Sequence, residues 1–579
     1  MASSTSDVGL LSEDEEGANL LASDSGDDLF QPVDSFDDAD MLRESDSISD
    51  ILSTEAACPP RPEEAACPPH LEEATRPPNR EEAACPPNSM AMGSGADLLQ
   101  ESDHSGDFMD LDDIDAPDET CLLPEAAVPP PLPEDFSQPF QWAFATIEAL
   151  LGLATVLTLR ASLLGSDLNF ATNFSGIGSA EQALKFVCSG TARFLGRAAT
   201  WRSVSACEND ATNQKLLSRL CPGTCIFEDM FGASVLSKEL RERLKAKGLI
   251  DFDQAWEDIL NAGLTENEPC LTHKGCRCAR PQADIDISGS PCQPWSRIGR
   301  RAGRNSHFIL PVLVWILWLR KAQPLVVIHE NVPGFDVDLL VHFLGDLYEV
   351  SRLAVRPPHM GFISVSRNRL YCVLYFRNKV RLVRPIEAAY RHVCDAIFLD
   401  TLQQTPTRHR PNLFYILATD TDLLLEENRA RSQRGLNPVQ TRSSDWTYLL
   451  TDLQRNYIIT YATKWKARWK TEPHDSPGCI FDLSQNPAKR PSVSDPSGRL
   501  PTCTHNCNRF WLPALGRWLL SIELAAALGF PVAGHLARHA RVSMDPNCDE
   551  YLPRQIGNAM HVASVGSVLM ISLACLARL

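Results

Sequence analysis

The sequence predicts an α/β fold: a doubly wound, mostly parallel sheet with a second, smaller domain. Three observations predict it. From about residue 168, short β-rich runs alternate with helical patterns; glycines and acids fall at the ends of those runs; and a thiol stands at the end of a fourth run, where folds of this kind collect their ligands. The first run is 170–174, leading through a glycine turn into a helical pattern over 181–187. Next come 203–207 with a helix over 211–220, then 225–227, 284–287 and 325–328. A further β-run covers 369–375. These segments, with 141–168 before them, make a first domain over 141–379.

The alternation stops near residue 380. Residues 380–510 are rich in Pro, Arg, Trp and Thr and are too long for a structureless loop inside a compact fold, so they form the smaller domain. Residues 511–579 return to helical patterns and complete the first domain.

Composition sets the first 140 residues apart. They hold about 35 Asp and Glu against about 4 Lys and Arg, whereas the remainder holds about 39 acids and 50 bases. The net charge of −20 over 579 residues therefore hides a basic body behind an acidic leader. Rich in Asp, Ser, Glu and Pro and poor in aromatics, that leader cannot bury enough apolar surface to offset its chain entropy, and disorder is the expectation. Inside it a unit of about nine residues recurs, placing Cys58, Cys67, Arg76 and Cys85 before Pro-Pro pairs. Two readings stand: a spacer, or an acidic docking segment in which a motif such as Phe108-Met109-Asp110-Leu111 folds on a protein partner.

The start of the chain lacks a basic region followed by an apolar run, from which a nuclear, or else cytoplasmic, location is expected. Apolar stretches at 142–165 and 308–319 are interrupted or too short to span a bilayer and read as buried helices, so no membrane partner is expected. Nineteen cysteines in a reducing compartment imply free thiols.

The motifs lie at the strand ends. Phe174-Ser175-Gly176-Ile177-Gly178 follows the first strand, where glycines let the backbone approach a ligand that faces the start of the next helix. Glu208 ends the second strand, suited to ribose hydroxyls, and Asp229 follows the third. Without the third glycine of a dinucleotide fingerprint, the set describes a nucleoside cofactor lacking a diphosphate. Pro291-Cys292-Gln293 offers a nucleophile at the end of the fourth.

In this order the motifs resemble those of the C5-cytosine-specific DNA methyltransferase family. Phe174-x-Gly-x-Gly is similar to its first motif, Pro291-Cys292-Gln293 to its nucleophile motif and Glu330-Asn331-Val332 to its glutamate motif. Arg367-Asn368-Arg369 falls where the family has Gln-x-Arg-x-Arg; Glu523 with Gly529-Phe530-Pro531 resembles the ninth motif, and Gln555-Ile-Gly557-Asn558-Ala559 the tenth. The likeness covers about 168–579, apart from 380–500.

The resemblance implies the S-adenosylmethionine-dependent methyltransferase fold, with S-adenosyl-L-methionine as cofactor. Phe174, Ser175, Gly176, Gly178, Glu208, Asp229, Asn558 and Ala559 would hold that cofactor. It also implies transfer to C5 of a flipped cytosine in duplex DNA. Cys292 would add at C6, Glu330 would keep or share a proton at ring N3, and one of Arg367 and Arg369 would donate to the carbonyl O2 while the other holds a phosphate or a structural carboxylate. On this reading 141–379 and 511–579 are catalytic and 380–510 recognises the target. The loop from Trp295 to Arg304, with four arginines, would close over the flipped nucleotide. A tRNA cytosine-5 methyltransferase of the same family, hence an RNA substrate, is the first alternative; a non-catalytic chromatin-binding relative is the second.

Three features depart from the family pattern: Val365 in place of glutamine, a long stretch between Asp229 and Asp284, and His561 where a proline is frequent. That long stretch carries Cys270-x2-His273-x2-Cys276-x-Cys278, whose residue types suit zinc but whose spacing fits no standard finger; the first reading is a cysteine-rich insertion without metal, and a zinc site is the alternative. The same reading covers Cys503-Thr-His505-Asn-Cys507. Glu523 is expected to pair with an arginine, and Asn331 to orient the turn before Cys292. The run 461–470 interleaves bases with aromatics, as a nucleic-acid surface or as an amphipathic element packing its tryptophans.

Overall fold

The computed structural model describes residues 138–153, 167–197, 199–236, 242, 249–296, 301–404, 413–488, 496–503, 509–534, 536–537 and 555–579. The acidic leader with its repeats, residues 297–300 of the arginine-rich loop and residues 504–508 lie outside the described residues.

Seven strands form the central sheet: β1 (Leu168–Asn173), β2 (Trp201–Cys207), β3 (Cys225–Phe227), β4 (Ile285–Ser288), β5 (Val326–Asn331), β6 (Tyr348–Val355) and β7 (Arg369–Phe376). Their spatial order is β3-β2-β1-β4-β5-β7-β6. Neighbours from β3 to β5 run parallel, and β7 is antiparallel to both β5 and β6. The chain winds outward from β1 to β3 and then returns to lay β4 beside β1, which opens a switch point between those two strands.

Residue parity decides the two faces. Ile285 and Ile287, Val326 and Ile328, and Tyr371, Val373 and Tyr375 point into one core, while Val327, Cys372 and Leu374 point into the other. Strands covered on both faces read as continuous apolar runs, which is why they were visible in the sequence. The first face is covered by α1 (Trp142–Leu151), α2 (Ser179–Leu195) and α11 (Val562–Ala574). Between α2 and α4 in the chain, α3 (Ala211–Leu220) starts at Asp210, whose carboxylate accepts from the amides of Thr212 and Asn213. The second face is covered by α4 (Phe252–Ala262), α5 (Leu310–Ala322) and α6 (Asp338–Leu344).

Residues 556–574 are apolar enough in composition to cross a membrane, but 89% of that window is buried inside the protein. The small residues of α11 explain its place: the Gly566 backbone lies so close to the Trp142 indole that a Cβ would overlap it, and Thr146 Oγ1 bonds Ser567 Oγ at 3.0 Å.

The chain does not leave this domain at residue 380. Val380–Leu382 pairs antiparallel with Leu576–Arg578, and α7 (Ile386–Gln404) packs on α1 and α11. Its buried residues Ile386, Ala389, Tyr390, Val393, Cys394 and Ile397 follow the 3.6-residue period of a helix with one apolar face. A separate small core holds Leu423, Trp446, Tyr461, Trp465, Phe481, Trp511 and Trp518. It is built from α8 (Asp420–Gln433), α9 (Asp452–Trp469) and a three-stranded sheet of Phe481–Asp482, Phe510–Leu512 and Arg517–Trp518. The second body therefore begins near residue 418. Composition alone placed it too early, because a one-sided helix such as α7 is half polar.

In α9 the aromatics turn inward. Tyr461 stacks on Phe481 with centroids 5.3 Å apart, and Trp465 is fully buried. Lys464 and Lys466 face outward, to the Pro487 carbonyl and to Glu472.

Candidate active site

Register brings the motifs to one edge of the sheet. Asn173 lies opposite Cys207 and Ser288, Cys207 opposite Phe227, and Ser288 opposite His329, so the residues following each of these emerge side by side. β7 enters antiparallel at the same edge, setting Arg369 and Leu370 beside the end of β5.

On the β1–β3 side, Phe174 has a φ of 55°, a conformation costly for an aromatic residue and one found where a local function over-determines it. Its ring meets Trp315 edge-on. Gly178 has a φ of 82° and a Cβ there would come within 2.8 Å of Leu220, so only glycine fits between the turn and α3. α2 begins at Gly178 without a side-chain cap, leaving first-turn amides directed at the β1 tip. Ser175 Oγ bonds Thr172 Oγ1 and the Cys207 carbonyl, tying β1 to β2.

Glu208 is buried, with Oε2 accepting from the Gly176 amide at 2.7 Å and Oε1 from the Asp210 amide at 2.9 Å. Burial raises its pKa, against the pull of the Asp210 and Gly176 amides and of Asn213. Asp229 caps the 3₁₀ turn after β3 through the Phe231 amide and lines a cavity of about 270 Å³ with Glu228, Gly232, Glu268, Pro269 and Arg277. Asn558 is exposed and Ala559 buried; Gln555, just before them, is bonded by Asn213 of α3, so this turn returns to the Glu208 tip.

On the β4–β5–β7 side, Cys292 is half-buried at the head of a tight turn whose Trp295 and Ser296 amides donate to its carbonyl. Burial pushes its thiol pKa up, Arg369 draws it back, Glu330 pushes it up again, and Arg367 lowers it slightly. Glu330 Oε1 and Arg369 Nε form an ion pair at 2.9 Å.

Asn331 acts as expected on the turn: its amide donates to Ser290 Oγ at 3.0 Å and to the Ser290 carbonyl at 3.3 Å. Ser290 Oγ also bonds His329 Nε2 at 2.7 Å. Stacked on Trp315 and fully buried, His329 has its pKa pushed down by burial to about 3, so it stays neutral. The sequence reading missed His329 and Trp315; the signal for His329 was a polar residue following the apolar run of its strand.

Arg367 is placed differently from Arg369. It is buried and donates to the carbonyls of Gly557, Ala559 and Cys503, where the expectation was a base carbonyl, a phosphate or a structural carboxylate. Burial lowers its pKa to about 10, helped by neighbouring Arg369. The residue locks the 557–559 turn against the site, and Arg369 alone of the pair reaches Glu330.

The departures from the family pattern have local explanations. Val365 bridges Leu500, and the amide of Ser366 bonds the Leu500 carbonyl, so a backbone pairing holds this loop where a glutamine would. His561 caps α11 by accepting from the Ser564 amide. Glu523 pairs through both oxygens with Arg517, at 2.7 and 2.8 Å, and accepts the amides of Leu417 and Ala418, fastening the small core to the large one.

The long stretch after Asp229 needs a correction. Cys276 is exposed and outside the cluster, whereas Cys225 of β3 joins Cys270, His273 and Cys278 in one group.

The sheet order and strand-tip site define an S-adenosylmethionine-dependent methyltransferase fold. No family model matches the chain. It is 24% identical over 454 residues to the DNA (cytosine-5-)-methyltransferase DMT5 of Cryptococcus neoformans var. grubii, covering 72% of this chain and 17% of that protein. It is 30% identical over 116 residues to the type II methyltransferase M.MspI of Moraxella sp, covering 18% of this chain and 27% of that protein. The chain thus spans well under a third of the length of either curated relative. Among solved structures, the S. pombe Dnmt2 methyltransferase aligns at 14% identity over 70% of this chain and 98% of that one, with a TM-score of 0.34. The Entamoeba histolytica methyltransferase EhMeth aligns at 12% identity over 70% and 98%, with a TM-score of 0.33.

The chain is similar, over part of their length, to these two curated methyltransferases. S-adenosylmethionine is the cofactor that this fold implies, and the residues present fit it. The uncapped start of α2 suits its carboxylate, Glu208 suits its ribose hydroxyls, and Asp229 stands beside a cavity at the next strand tip.

Proposed function

We propose that the chain methylates C5 of a cytosine flipped out of duplex DNA, through a transient bond between Cys292 and C6 of the ring. The observation that carries this reading is the meeting of three groups from three strand ends, with Cys292 after β4 under the charges of Glu330 on β5 and Arg369 on β7. A cytosine ring is too electron-rich at C5 to take a methyl group directly. Addition of the Cys292 sulfur to C6 makes C5 nucleophilic, and Glu330 holds a proton at N3 while charge builds in the ring. Arg369 lowers the cost of forming the thiolate and donates toward O2. Bound S-adenosylmethionine supplies the electrophilic methyl group. Transfer of the C5 proton to solvent water then re-forms the C5–C6 double bond and expels the Cys292 sulfur as thiolate, while the N3 proton returns to Glu330.

The Ser290-Asn331-His329 bonds hold the turn that aims Cys292, and Arg367 holds the turn that closes the site from behind. The small core between Leu423 and Leu520 is the target-recognition body, the acidic leader docks a protein partner, and the location is nuclear. DNA is favoured as substrate because the relative matched over 72% of this chain is by name a DNA (cytosine-5-)-methyltransferase.

The test is transfer of a labelled methyl group to unmethylated duplex, hemimethylated duplex and tRNA, together with trapping on a duplex carrying 5-fluorocytosine. Transfer to a duplex and a denaturation-resistant adduct that Cys292→Ala abolishes are expected. Transfer to tRNA with none to either duplex would overturn the DNA assignment.

A further inference from the structure

We infer that Cys225, Cys270, His273 and Cys278 hold a structural zinc ion that straps the inserted segment to the edge of the sheet. Their four ligand atoms lie within 4.8 Å of one another. The distances have the right size for a shared ion: His273 Nδ1 stands 3.4 Å from Cys278 Sγ, 3.5 Å from Cys270 Sγ and 3.7 Å from Cys225 Sγ. A tetrahedral zinc with bonds of about 2.3 Å to sulfur and about 2.0 Å to nitrogen requires a sulfur-to-nitrogen edge of about 3.5 Å. Three soft sulfur ligands and one imidazole nitrogen select zinc over hard cations, and four protein ligands leave no open position for substrate, which marks the site as structural.

The backbone is arranged for it. His273 to Cys276 form a turn closed by the Cys276 amide on the His273 carbonyl at 2.9 Å, with Gly275 at a φ of 78° as such a turn requires. The amides of His273 and Thr272 point at the Cys270 sulfur, as donors do around a metal-bound thiolate.

The ligands also explain why the insertion sits where it does. β3 is the outermost strand, and an open edge is a liability. Here the edge is covered: Leu271 donates to the Ile226 carbonyl at 2.9 Å, Cys270 bridges Phe227, and Thr272 Oγ1 bonds the Thr224 carbonyl. Cys225 comes from β3 itself, so the ion joins strand and strap directly. Beyond the strap, Glu268 forms a buried ion pair with Arg280, whose guanidinium lies over the Phe227 ring and donates to Asn173 at the tip of β1. Removing the ion therefore loosens the β3 tip that carries Asp229.

The test is metal content by mass spectrometry on the full chain, purified under reducing conditions from zinc-supplemented cells, for wild type, Cys276→Ser, Cys225→Ser and Cys278→Ser. About one zinc per chain is expected in wild type and in Cys276→Ser, and none in the other two. Should those two fail to fold, cobalt(II) exchanged into wild type and Cys276→Ser decides: both are expected to show the intense visible bands of tetrahedral cobalt with a thiolate charge-transfer band. Metal-free wild type, a cobalt spectrum without thiolate bands, or zinc lost from Cys276→Ser but kept in Cys225→Ser would each overturn the assignment. Because the readout is metal and not methyl transfer, its failure is separable from failure of the catalytic reading.

Discussion

Cys292 and Cys270 belong to the same sheet, yet their surroundings set them to opposite tasks. Cys292 is a single thiol at a strand tip, half-buried, with two arginines and one carboxylate acting on it. Cys270 is buried against the flank of β3 amid two other sulfurs and an imidazole. The first arrangement leaves a face open to an electrophilic ring carbon; the second directs every lone pair inward to a common point. What separates a nucleophile from a ligand here is the company of the sulfur and its access, since a thiol alone specifies neither.

The largest effect that tests this contrast is on the reaction itself. Cys292→Ala is expected to reduce methyl transfer to below about 10⁻⁴ of wild type while leaving zinc content and cofactor binding intact. Equal loss of zinc and transfer in that variant would merge the two regions that the comparison keeps apart. Next in size is Glu330→Gln, which keeps the side chain's shape and removes its proton-holding capacity; a fall of about 10²- to 10³-fold in kcat, with little change in cofactor affinity, is expected.

The two arginines divide in the same way. Arg369→Ala is expected to lower transfer about 10²-fold and to cost only about 1 kcal/mol in stability, since it leaves the single buried carboxylate of Glu330 without its ion-pair partner. Arg367→Ala is expected to destabilise the domain by about 3 kcal/mol, because it strands the buried carbonyls of Ala559 and Cys503. Thermal unfolding and kcat measured on both variants check the division, and a stable but inactive Arg367→Ala would reverse it.

Much of this was legible in the sequence, and the misses share a cause. Parallel strands buried on both faces announce themselves as apolar runs ending in chemistry, so β1 to β5 and their tip residues could be found. β6 was missed: it is an edge strand whose buried residues alternate with exposed ones such as Glu349 and Arg352, a weak signal in eight residues. Assigning α7 to the smaller domain failed for a related reason, since one apolar face on a half-polar helix does not say which core it joins. The pairing of Cys225 with Cys270 was hidden because 45 positions separate them, and no spacing rule spans a β-strand edge and an insertion. Arg367 and Arg369 look alike in sequence; only the three carbonyls around Arg367 tell them apart.

The pH response of Cys292 sharpens the comparison from the side of reactivity. Its thiol is held above the ordinary value of 9 by burial, so alkylation of the free protein by iodoacetamide is expected to rise with pH along a curve centred above 9. Because Arg369 lowers that pKa and Glu330 raises it, Arg369→Ala is expected to move the curve up and Glu330→Gln to move it down. Peptide mass spectrometry of the labelled Cys292 reads each curve. Opposite shifts would show that the two charges act through the thiol, while no shift in either variant would confine them to the substrate.

The smallest expected effect concerns Gly289, which joins β4 to the turn bearing Cys292. A Cβ there would meet the terminal methyl of Met560 at 2.8 Å and Glu330 Oε2 at 3.5 Å. The closer contact is the far end of a flexible side chain, which can swing away without moving backbone. The Glu330 contact is ordinary van der Waals distance. Gly289→Ala is therefore expected to cost only about threefold in kcat and about 1 kcal/mol in stability, with the Cys292 alkylation curve unmoved. A displaced curve would mean that the added methyl turns Glu330 relative to the thiol, and the carboxylate would then be placed by packing against β4 as much as by its bond to Arg369.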